Sequence, residues 1–95
     1  MNVAAVQLDI VWEDKPANYA KLRRHLTGIA PETLVVLPEM FATGFTKNLA
    51  LAEDTGASCA AIAREYRINL LAGLVRDRRN EAVLFDATGR EVGRY

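Results

Sequence analysis

The sequence predicts an α/β fold: a mostly parallel sheet with an antiparallel hairpin at its carboxyl end. Three observations carry that expectation. Short apolar runs alternate with stretches of helical period in the order strand, helix, strand, helix, strand, strand, strand. The early runs are apolar throughout, as strands buried on both faces are. The last strand candidates follow one another across short turns, which only antiparallel neighbours allow.

The first strand is Val3-Ala4-Ala5-Val6-Gln7-Leu8, short, mostly apolar and β-branched near its start. Asp14 then suits the cap of a helix, and Pro16 fits its first turn because the amide it lacks would have no intrahelical partner. Tyr19, Leu22, Leu26 and Ile29 recur at helical spacing while Lys21, Arg23 and Arg24 take other faces, and the helix ends near Gly28 and Pro31. Thr33 to Leu37 form the second strand, which Pro38 ends because proline cannot donate to the ladder. A loop through Phe41-Ala42-Thr43-Gly44-Phe45 leads to an alanine-rich helix from about Ala57 to Tyr66, with Cys59, Ile62, Ala63 and Tyr66 as its apolar stripe. Asn69 to Val75 is the third strand. A polar turn over Asp77-Arg78-Arg79-Asn80 leads to the strand Ala82 to Phe85. Asp86-Ala87-Thr88-Gly89 then reads as a hairpin turn with Gly89 left-handed, followed by a last strand, Glu91 to Tyr95.

Two helices cannot cover both faces of such a sheet, so one face or edge is expected to be left looking for a partner. The length agrees. Its 95 residues amount to about two-thirds of a typical domain. The whole of 1–95 is therefore expected to form part of one domain, with no linker, repeat or low-complexity tract inside it.

Composition narrows the function classes. Apolar residues are 51% and charged residues 25%, the balance of a folding, globular chain. Twelve basic and twelve acidic side chains cancel, so no net field favours nucleic acid or an anionic membrane. Cys59 has no partner for an internal disulfide, which points to a reducing compartment, the cytoplasm. Residues 1–10 lack the basic start and apolar stretch of a signal peptide, and no run is long enough to span a bilayer.

Glu39 is the most informative position. It follows five apolar or β-branched residues and Pro38, which puts a carboxylate at the carboxyl end of a buried strand, where open α/β sheets place ligand sites. Partial desolvation there would raise its pKa toward that of a general base. The competing reading is a turn acid that caps backbone amides. Cys59, on the apolar stripe of a helix with no base beside it, reads as core rather than nucleophile. His25, among basic neighbours, reads as a surface histidine, and Lys47 as a solvated lysine in a polar loop. Arg76, Arg78 and Arg79 around Asp77 read as a solvated connection. No metal-ligand spacing and no phosphate-binding or dinucleotide glycine pattern occurs, so neither a metal nor a cofactor is expected.

The stretch Leu37-Pro38-Glu39-Met40-Phe41-Ala42-Thr43-Gly44-Phe45, preceded by Val3-Ala4-Ala5-Val6-Gln7, resembles the start of the carbon–nitrogen hydrolase (nitrilase) superfamily, and within it the omega-amidase-like branch. Asn80-Glu81-Ala82-Val83-Leu84-Phe85-Asp86 with Gly89 and Tyr95 resembles the hairpin of the same family. The resemblance implies a four-layer α-β-β-α sandwich, of which this chain would supply the amino-terminal part. It also implies a Glu-Lys-Cys site acting on an amide of a small carboxylic acid: glutamate as base, cysteine as nucleophile, lysine for the oxyanion. Only Glu39 corresponds to a site residue. Neither Lys47 nor Cys59 stands where the family's lysine and cysteine do, so the chain is expected to be inactive alone. A small-molecule amide is the implied ligand of the complete enzyme, and a second copy or the remainder of the domain the implied partner of the open sheet. Two other readings stand beside this one: a non-catalytic module that pairs through its open sheet edge, and an improvised site of Glu39 with Lys47 and Cys59.

Overall fold

The computed structural model describes residues 1–53 and 55–95. The chain runs β1 (Val3–Ala5), α1 (Lys15–Leu26), β2 (Leu34–Val36), α2 (Leu49–Ala52), α3 (Thr55–Tyr66), β3 (Asn69–Arg76), β4 (Arg79–Phe85) and β5 (Glu91–Arg94). The strands form one sheet in the order β1-β2-β3-β4-β5. The pairs β1–β2 and β2–β3 are parallel, and β3–β4 and β4–β5 are antiparallel. This is the α/β arrangement expected, with the antiparallel part widened to a three-strand meander because β3 itself turns directly into β4.

Local chemistry explains the helices. The Asp14 carboxylate accepts from the Ala17 N–H at 3.0 Å, satisfying a donor that the first turn of α1 leaves free, and Pro16 sits in that turn. The last turn carries Arg23, Arg24 and His25, whose charges suit the negative end of the helix dipole. Asn48 caps α2 through its side-chain oxygen, which accepts from the Leu51 N–H at 3.2 Å.

Helices α1 and α3 cover one face of the sheet. Leu22 and Leu26 of α1 and Cys59, Ile62 and Ala63 of α3 join Val35, Leu70, Ala72, Leu74, Val83 and Phe85 in one buried cluster. Strand alternation sends the intervening residues to the opposite face, where Val36, Leu71 and Leu84 stand in one row across β2, β3 and β4, each half-buried. The same face carries Val3, 65% exposed. One apolar face is thus open, as the helix count requires. Among the described residues, no helix is long and apolar enough to cross a membrane.

Several boundaries differ from expectation. β1 ends at Ala5 rather than Leu8, with one further backbone bond from Val6 to Val36 at 2.9 Å, because the chain then leaves the sheet and buries Leu8 in the core. α2 was not expected, since four residues cannot display a helical period. α3 begins at Thr55 rather than Ala57. The polar turn of four residues is corrected to two: Asp77 and Arg78 adopt φ of +47° and +62°, the left-handed pair of a tight hairpin turn, while Arg79 and Asn80 belong to β4. All four are exposed and polar, so their chemistry does not reveal where the strand resumes. Gly89, at φ +85°, is left-handed as expected.

Candidate active site

Glu39 owes its place to the way β2 ends. The ladder with β3 continues past Val36 through the Leu37 N–H, which donates to the Leu71 carbonyl at 2.9 Å. Pro38 interrupts it, and pairing resumes one residue after Glu39, where the Met40 N–H donates to the Gly73 carbonyl at 3.1 Å. Met40 then takes a φ of +56° and reverses the chain, and its carbonyl accepts from the Gly44 N–H at 2.8 Å. Met40, Phe41, Ala42, Thr43 and Gly44 are buried, so Glu39 stands on the shoulder of a rigid loop.

The loop is also tied from the other side. The amide nitrogen of the buried Asn18 donates to the Ala42 carbonyl at 2.7 Å, and Asn18 bonds both the N–H and the carbonyl of Val11 at 2.8 Å. The Thr46 hydroxyl meets the Glu13 carboxylate, and the Glu13 N–H donates to the Thr43 carbonyl at 2.9 Å. The segments that follow β1 and β2 thus form one hydrogen-bonded unit at the carboxyl ends of two parallel strands.

On the open face, Glu39 lines a cavity of about 340 Å³, floored by Val36, Leu71, Gly73 and Ala82 and bounded by Asn80, Glu81 and Tyr95. This lies in the size range of small-molecule sites, with an apolar floor and few polar groups. Glu39 itself is exposed. The desolvation expected of it is therefore absent, because the face on which it stands is uncovered. Glu81 is mostly shielded, its side chain 17% exposed, and its carboxylate lies 3.7 Å from the Arg94 guanidinium. The sequence reading did not single out Asn80, Glu81, Tyr95 or Gly73 as cavity residues. Their signal was the register that sets Gly73 opposite Ala82, legible only once the meander is known.

The other candidates lie elsewhere. Cys59 is fully buried in the helix-covered core and does not line the Glu39 cavity. Burial pushes its thiol up to about 12, away from nucleophilic duty. The improvised site with Lys47 and Cys59 is thereby excluded for the thiol, and Lys47 is an exposed loop residue outside the cavity. His25 is exposed on α1. Arg76 is more than a solvated turn residue: it ends β3 half-buried, and its guanidinium bonds both oxygens of Glu91 at 2.8 Å, clasping β3 to the start of β5. Among the described residues no group of three His, Cys, Asp or Glu side chains is arranged to hold a metal ion.

Comparison with known proteins agrees with this geometry. The omega-amidase YafV of Escherichia coli is 35% identical over 78 residues, which are 79% of this chain and 30% of that protein. A carbon-nitrogen hydrolase structure from Helicobacter pylori superposes with a TM-score of 0.80 at 24% identity, covering 100% of this chain and 38% of that one. An amidase structure from Nesterenkonia sp. gives 0.79 at 20% identity, covering 100% and 41%. The chain spans less than half the length of these relatives, and they do not favour a binding module unrelated to hydrolases. Residues 2–95 match the carbon-nitrogen hydrolase family model, so a strand end carrying Pro38-Glu39 on a half-covered α/β sheet is part of a known design, and the chain belongs to the carbon-nitrogen hydrolase family.

Proposed function

We propose that this chain supplies the general base, Glu39, of an amide hydrolase whose site is of the Glu-Lys-Cys type, and that residues 1–95 are part of a domain rather than a whole one. The observation that carries the reading is the placement of Glu39 immediately beyond β2, fixed to β3 by the Met40–Gly73 bond and lining a cavity with an apolar floor. A carboxylate so placed takes the proton of an attacking thiol, and a cation beside the cavity stabilises the oxyanion that forms on the amide carbonyl. The thioester left after ammonia departs is then hydrolysed, with the same carboxylate accepting a proton from water. Neither Cys59 nor Lys47 is assigned to these roles, so the 95-residue chain alone is inactive in this reading. The likeness to an omega-amidase makes amides of small dicarboxylic acids the proposed substrates, and the single Cys59 keeps the proposed compartment cytoplasmic.

Ammonia release from an omega-amide tests this. The chain alone gives none above background. Where the chain is continuous with the lysine- and cysteine-bearing part of the fold, Glu39→Gln lowers kcat/KM by about 100-fold or more. Activity retained within about tenfold in that variant, or release by the chain alone that Cys59→Ala abolishes, would overturn the assignment.

A further inference from the structure

Gly73 lies in the interior of β3, where glycine weakens a strand by its entropy and its lack of packing. Its backbone does not demand glycine, since the left-handed glycines are Gly28, Gly44 and Gly89. Space does. A Cβ on residue 73 would stand 3.0 Å from Glu39 Cγ, 3.1 Å from Glu39 Cα and 3.3 Å from Glu39 Cβ. All three are tighter than ordinary carbon contacts, which fall near 3.5–4.0 Å, and one of them is main chain.

Glu39 has little room to retreat. The residue that lacks the Cβ also holds the next peptide, through the Met40 N–H to the Gly73 carbonyl. Behind Met40, Phe41 is fully buried and Asn18 grips Ala42. Below, β3 is locked between β2 and β4.

We propose that Gly73 is the positioning residue for Glu39: by presenting bare backbone, it lets the main chain of Glu39 lie directly on β3 and so sets where the carboxylate stands in the cavity. The catalytic meaning of this role rests on the reading of Glu39 as the base; the positioning itself does not. Any side chain at 73 lifts Glu39 by a few tenths of an ångström or breaks the Met40–Gly73 bond. Displacements of that order matter at a reacting centre, where even about 1 Å costs on the order of 100-fold in rate.

The test compares the 95-residue chain with its Gly73→Ala and Gly93→Ala variants by NMR. Gly93 is the control, a strand glycine whose added Cβ would meet nothing within 4 Å. The Gly73→Ala variant shifts the Glu39 side-chain carboxyl signal and its titration, and speeds Met40 amide exchange by about tenfold or more, while the amides of Leu22 and Ile62 keep their protection. Gly93→Ala moves none of these. Unmoved Glu39 and Met40 signals in Gly73→Ala, or equal movement in Gly93→Ala, would overturn the proposal. If Gly73→Ala does not fold, the Glu39→Gly/Gly73→Ala double variant decides: recovered folding supports the steric contact, and failure to recover overturns it. Should Gly73→Ala displace Glu39 while Glu39→Gln leaves amide hydrolysis intact, the positioning stands and the base assignment fails.

Discussion

Asn18 shows how a single buried amide can support a site it does not line. It is fully buried on α1, with its oxygen and nitrogen both engaged by Val11 and its nitrogen also on Ala42, three residues beyond Glu39. Asn18→Ala strands three backbone groups, and each buried unsatisfied group costs about 1–3 kcal/mol, so urea titration should show a loss of at least about 2 kcal/mol. From sequence this residue looks like any polar position on a helix, because its partners lie 7 and 24 residues away. Glu39 was more legible: an apolar strand followed by proline predicts its place. Its exposure was not legible, since that depends on whether anything covers the open face. Cys59 was read correctly as core from its helical stripe alone. With its thiol pushed up to about 12 by burial, it stays neutral at pH 8, and an aromatic disulfide reagent should titrate no thiol in the folded chain and one in denaturant. Rapid labelling of the folded chain would contradict its burial.

At the scale of elements, the turn between β4 and β5 is the best-built connection. The Asp86 carboxylate accepts from the Thr88 hydroxyl at 2.6 Å, the Thr88 N–H at 2.9 Å and the Arg90 N–H at 3.0 Å. The Thr88 hydroxyl, and after it the Arg90 amide, hold its carboxyl below the usual 3.8. The pKa is lower folded than unfolded, so the stabilisation is complete above about pH 4 and is lost as the pH falls through the folded value. Amide exchange at Arg90 should therefore accelerate relative to Val83 as the pH drops below about 4, and Asp86→Ala should remove that pH dependence. The Asp-Ala-Thr-Gly pattern made this turn readable in advance. The Asp77-Arg78 turn was not, because neither of its central residues is glycine or asparagine and four polar residues share the region. The strands and the two long helices were legible from runs and periods, whereas α2 has no period to read.

At the scale of the molecule, counting two long helices against the strands was enough to anticipate a sheet covered on one side. The number of antiparallel pairs needed the structure. The two halves of the sheet also differ in how far the chain must travel to close them. β3, β4 and β5 are joined by tight turns, whereas Val3 reaches Leu34, and Leu34 reaches Asn69, only across intervening helices. Closing long loops costs entropy before any contact repays it, so non-local pairing is the slow step in a fold. In refolding followed by pulsed hydrogen exchange, amides of the β3–β4 hairpin should become protected before those of β2, and simultaneous protection would contradict this order. The consequence concerns time rather than geometry: the meander, with Gly73 already in place, forms the template, and the strand that delivers Glu39 docks onto it last.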